Sequence, residues 1–74
     1  MDRINKIKIE IMYVKDSIEI YENIITKFKQ LPKGIQDGIN KGMYKGDFIS
    51  NNQKHLEIYR HQLENLNKSL EEIL

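Results

Sequence analysis

The residues best placed to do chemistry lie in the middle of the chain, where KGIQ-DGIN-KGMY-KGDF puts Gly34, Gly38, Gly42 and Gly46 at a constant spacing of four. Lys33, Asp37, Lys41 and Lys45 precede them, and Tyr44 sits among them. Glycines let a backbone approach an anion closely, and successive N–H groups can cradle phosphate oxygens. The lysines would add charge and Tyr44 could stack on a base. Lys33, Gly34, Gly38, Lys41, Gly42, Tyr44 and Lys45 are therefore the candidate ligand contacts, with an anionic, nucleotide-like small molecule as the ligand. The spacing matches neither GxxxxGK[ST] nor GxGxxG, so it is not a nucleotide-binding fingerprint. The plainer alternatives are glycines that allow tight packing of a short helix, a mobile turn, or a loop that touches a protein.

Other chemistry finds less material. The chain has no cysteine, so it offers no thiol nucleophile, and its redox compartment is undetermined. Ser50 reads as a helix cap, while Ser17 and Ser69 fall on helix surfaces rich in lysine and glutamate. The carboxylates are dispersed, with no pair placed where burial would split their pKa values. His55 and His61 are six residues apart, about 240° round a helix, so one helix cannot offer both to one ion. The sequence reads as non-catalytic, with no metal and no cofactor. A net charge of +1 gives no strong field, and basic residues such as Lys6, Lys8 and Lys15 are interleaved with Glu10, Asp16 and Glu19. That is a solubilising surface, so nucleic acid is not an expected partner.

Two heptad segments flank the middle. Ile4, Ile7, Ile11, Val14, Ile18, Tyr21, Ile25 and Phe28 step by three and four, forming an unbroken a/d seam. Asp2 suits an N-cap and Pro32 a stop. A helix over 2–30 follows. Ile49, Asn52, Leu56, Tyr59, Leu63, Leu66, Leu70 and Ile73 repeat the pattern. Ser50 and Gln53 read as a capping box, which starts a second helix at about Asn51 and carries it over 51–74. Glu64 and Lys68 form an i,i+4 pair on it, and Asn52 at a seam position could fix register. An antiparallel register that sets Ile25 against Leu56, Ile18 against Leu63, Ile11 against Leu70 and Ile7 against Ile73 keeps the paired numbers at nearly the same sum. The connector, 31–50, carries a short helix from Pro32 to about Lys41 and then a turn through Gly42 to Asp47. The alternative is a parallel coiled coil of extended chains, which Pro32 and the glycines disfavour.

The first helix has more apolar surface than one neighbour can cover. Ile9, Tyr13, Ile20 and Ile24, with Met12 beside them, form a second stripe about 130° round from the seam. A helix apolar on two faces is buried on two sides. Either the middle segment folds back over that stripe, or a second copy covers it. At 74 residues without disulfides, oligomerisation is the ordinary route to adequate stability. The expected fold is all-α: an antiparallel, coiled-coil-like hairpin with a glycine-rich connector, assembled as a homo-oligomeric bundle, a dimer or larger.

No apolar run approaches the roughly 20 residues that span a bilayer, and the start lacks a signal-peptide apolar core. No membrane association is expected, and the default location is cytoplasmic. The many Ile, Lys and Asn residues fit an AT-rich coding genome, such as a low-GC bacterium or its phage. The functional expectation is a small accessory or phage-type binding protein that blocks or sequesters a partner protein. The alternative is an oligomeric sponge for the anionic small molecule, and the third reading is a purely structural bundle.

Overall fold

A computed structural model describes residues 2–74 as three helices and no strand: α1 (Arg3–Lys29), α2 (Lys33–Lys41) and α3 (Phe48–Ile73). The molecule is a rod of 51 × 20 × 17 Å. α1 begins where Asp2, in an extended conformation, accepts a hydrogen bond from the Asn5 N–H at 2.8 Å. This satisfies one of the amides that the first turn leaves without a partner. The helix ends at Lys29, and Pro32, with no N–H to donate, sits in an extended conformation just outside α2. Pro32 is thus the residue before the first helical position, one earlier than the sequence placed it.

The Gln36 amide nitrogen donates to the carbonyls of Leu31 at 2.8 Å and Lys29 at 3.3 Å. One α2 side chain thereby satisfies orphan carbonyls at the end of α1 and sets the angle between the two helices. At the other end, Asn40 Oδ1 accepts from the Phe48 N–H at 2.8 Å, tying α2 to the first turn of α3. Gly46 alone among the described residues has a positive φ, +68°. A β-carbon is strongly disfavoured there, and the chain uses the bend to reverse into α3.

α3 starts three residues earlier than the capping box implied. Its N-cap is Asp47, whose Oδ1 accepts from the Ser50 N–H at 2.7 Å, so Ser50 is a first-turn residue and not the cap. Both are good capping types, and position decided between them. Ile49 had to be helical to continue the seam, and Phe48 is placed by its stack on Phe28. The Ser50 N–H holds the Asp47 carboxyl below its ordinary pKa, with the Ser50 hydroxyl and the Ile49 N–H adding to the effect. A carboxyl depressed on folding stabilises the fold above its unfolded pKa, and that stabilisation is lost as pH falls through the folded value. Melting temperature should therefore fall below about pH 4. Asp47→Asn, which keeps the cap without the charge, should flatten that part of the profile in melts followed by circular dichroism between pH 2 and 6. An unchanged acid limb in the variant would contradict this role.

α1 and α3 pack antiparallel, the only substantial helix–helix packing among the described residues. Phe28 stacks on Phe48 with ring centroids 4.3 Å apart, Tyr21 stacks on Tyr59 at 5.6 Å, and Glu22 meets Arg60 at 3.7 Å. Tyr21–Tyr59 and Glu22–Arg60 fall within one residue of the register read from the seam, whereas Phe28–Phe48 lies about five residues off it, at the connector end. Every seam position is buried or half-buried, and Ile7, Ile11, Ile25, Phe28 and Leu56 form the buried core. Asn52 lies on the seam, but its side chain donates to Phe48 O in its own helix at 2.8 Å. Its polarity is satisfied locally rather than across the pair. Glu64 and Lys68 do pair on the outer face, at 3.3 Å. Among the described residues no helix is long and apolar enough to cross a membrane.

Candidate interaction surfaces

The second stripe of α1 is only partly covered by the rest of the chain. Tyr13 is 63% exposed, Ile20 57% and Met12 51%, while Ile9 and Ile24 are half-buried. The middle segment does not fold back over them. α2 stays at the connector end, held by its Gln36 and Asn40 hydrogen bonds. On the same side of the hairpin a shallow groove runs between the long helices, lined by Glu10, Tyr13 and Val14 from α1 and by Gln62, Asn65 and Leu66 from α3. Ile58, 57% exposed, lies one turn before Gln62 on α3. Sequence reasoning missed it because it is a single isoleucine outside a good seam, with no apolar neighbour at helical spacing.

The candidate ligand residues are only partly brought together. Gly34, Gly38 and Lys41 line a shallow depression with Asp37 and Asn40. Lys33, Gly42, Tyr44 and Lys45 are not among its lining residues. Tyr44 is 95% exposed at the tip of the turn, with the Lys45 ammonium 5.8 Å from its ring centre. Several backbone amides here are committed to the helix. Ile35 and Gln36 donate to Pro32 O, and Gly42 donates to the carbonyls of Gly38 and Ile39. An anion nest needs such amides free, and the Asp37 carboxylate beside Lys41 opposes an anion.

A β-carbon built at Gly34 or Gly38 would meet nothing within 4 Å, so neither glycine serves close packing within this chain. Each Gly→Ala change there should stabilise the fold by about 0.4–1 kcal/mol, since the helical backbone already suits alanine. Gly46→Ala should destabilise it by about 1–2 kcal/mol through its left-handed φ. Urea titration of the three variants checks both signs, and a destabilised Gly38→Ala would show that the open face is filled in solution.

The histidines sit apart. His55 stacks on Tyr21 with centroids 5.4 Å apart, extending the Tyr21–Tyr59 pair into a three-ring cluster along the seam. His61 lies on the outer face of α3, beside Lys54, Glu57 and Arg60. The cluster was readable in principle, because His55 precedes Tyr59 by one helical turn. Among the described residues no three His, Asp or Glu side chains gather in a group able to hold a metal ion.

Comparison with protein-family models, with curated proteins and with solved structures found no match to this chain.

Proposed function

We propose that this chain is a non-catalytic binding protein that works as a pair of helical hairpins, and that it blocks or sequesters a partner protein through apolar surface at its connector end. The observation that carries the reading is surplus surface. A folded monomer of 8.8 kDa is expected to expose about 4,800 Å², and this chain exposes 5,814 Å². The difference, about 1,000 Å², is close to the roughly 800 Å² that each partner contributes to a stable interface.

Exposed apolar side chains collect in two places. One is the outer stripe of α1, which suits a second copy. The other is the connector end, where Leu31, Ile35 and Ile39 are exposed at a spacing of four with Tyr44 beyond them. The spacing gives α2 a short apolar ridge, the form in which a helix presents itself to a groove on another protein. The class of protein is thus a small helical accessory or inhibitor, with self-pairing on one surface and partner contact on another.

The test is capture from a host lysate by immobilised protein, with the double variant Ile35→Glu/Ile39→Glu as the control. A protein retained by the parent and lost by the variant is the expected result. Equal capture by both, or none by either, contradicts the reading.

One observation favours a second reading. The face of α2 over Gly34 and Gly38 is open, with Lys41 beside it, and a small anionic ligand could settle there in an oligomeric sponge. Calorimetry against mono-, di- and cyclic nucleotides decides it: heat that disappears in Lys41→Ala supports the sponge, and no heat at millimolar ligand removes it. If both readings fail, the pair is a structural bundle.

A further inference from the structure

The outer stripe of α1 has a symmetry that its apolarity alone does not require. Ile9, Tyr13, Ile20 and Ile24 are separated by four, seven and four residues, so the spacing reads the same in both directions about a point between Asp16 and Ser17. A surface of this kind matches itself when one copy is turned end for end. Isologous two-fold contacts require that property.

We infer that two copies pair face to face through this stripe with their α1 helices antiparallel, about a two-fold axis passing between Asp16 and Ser17, so that the two connector ends point in opposite directions. The inference rests on the self-pairing proposed above and adds its geometry. Ile9 then meets Ile24 of the second copy, and Tyr13 meets Ile20. The surplus of about 1,000 Å² per chain is enough for such an interface.

The same face of α3 argues for this direction against the other. At the level of Tyr13 and Val14, α3 supplies Gln62 and Asn65 to the groove between the helices, with Ile58 the only exposed large apolar residue within α3. A two-fold axis across the helices stacks α1 on α1 and α3 on α3, apolar on apolar and amide on amide. A two-fold axis along the helices would stack the α1 stripe on the α3 face of the other copy. Tyr13 and Ile20 would then bury Gln62 and Asn65 against hydrocarbon, and burying unpaired amides is costly. The antiparallel pair avoids that mismatch.

Two consequences follow. With its connectors at opposite ends, the pair is bivalent, its two α2 ridges separated by about the 51 Å length of one hairpin. One pair can then hold two partner molecules, or two sites on a large one, without their clashing. Like charges also meet across the axis: Asp16 with Asp16 near the centre, and Lys6 with Lys27 at the rim. Salt screens such repulsion, so the pair should tighten as salt rises, by about two- to fivefold in Kd between 50 and 500 mM. An interface held by ion pairs would loosen instead.

The absence of native cysteine makes the decisive test clean. With α1 axes about 9 Å apart, the two Ser17 α-carbons lie about 6 Å from each other, inside the span that a disulfide bridges. Ser17→Cys is nearly isosteric and removes only a hydroxyl bond to Tyr13 O within the same helix. Lys45→Cys puts the thiol at the far tip. Under mild oxidation, Ser17→Cys should form a covalent dimer in most molecules and Lys45→Cys should form almost none, with helicity by circular dichroism unchanged in both. Spin labels at position 45 should report a separation on the order of 50 Å. A dimer that links through position 45, or through neither position, overturns the antiparallel geometry and leaves self-pairing intact. A reduced protein that is monomeric at every concentration overturns self-pairing itself, and this inference with it.

Discussion

Ile20→Glu should turn the proposed pair into single hairpins without unfolding them. Ile20 lies on the face of α1 away from α3 and is more than half exposed in one chain, so the substitution removes nothing from the intrachain core. In the pair it places a carboxylate against Tyr13 of the second copy, and the two-fold axis does so twice. Burying an unpaired carboxylate is expensive enough that a group either stays in water or picks up a proton. Two such groups should weaken association at least about 100-fold, which corresponds to about 2.7 kcal/mol or more. Light scattering at matched concentration reads the loss of mass, and circular dichroism shows whether the helices persist. Ile20→Leu, which keeps the apolar volume, should pair as the parent does. A variant Ile20→Glu that keeps the parent's mass would show that the stripe lies outside any interface.

Phe28→Ala should have the largest effect on folding. Phe28 is 3% exposed, the most buried residue of the core, and stacks on Phe48 where α1, the connector and α3 meet. Removing a buried phenylalanine costs about 3–5 kcal/mol. Among the described residues the hairpin has only Ile7, Ile11, Ile25 and Leu56 as its other buried residues. A chain this small has little stability in reserve. Phe28→Ala should therefore be largely unfolded at low concentration and, if the proposed pair forms, regain helix as concentration rises, because pairing adds stability by mass action. Helicity measured from low to high micromolar concentration follows that recovery. Parent-like urea stability in the variant would place the main core elsewhere along the seam.

The two long helices were legible because a/d spacing is a strong signal when it runs without interruption. All sixteen seam positions, from Ile4 to Phe28 and from Ile49 to Ile73, are buried or half-buried. The start of α3 was less legible. Asp47 and Ser50 are both good caps three residues apart, and local chemistry does not rank them. The tie was broken by the tertiary demand that Phe48 reach Phe28 and that its N–H reach Asn40 Oδ1 at 2.8 Å.

The glycine repeat was legible as a pattern and opaque in meaning. Gly46 has a conformational reason at φ +68°. Gly34 and Gly38 have helical backbones and open space around them, so nothing inside one chain explains their size. The second stripe of α1 shows the converse. Its excess over what one neighbour covers was readable from spacing alone, whereas the uncovered state of Tyr13 and Ile20 became visible only once α2 was seen to stay at the connector end.

Sedimentation equilibrium of the unmodified protein across three decades of concentration decides whether the hairpins associate. A single chain weighs 8.8 kDa. The mass should climb to twice that value, or a larger multiple, within the micromolar range and fall back on dilution or on Ile20→Glu substitution. A well-folded protein that stays at 8.8 kDa from the lowest to the highest concentration would contradict it.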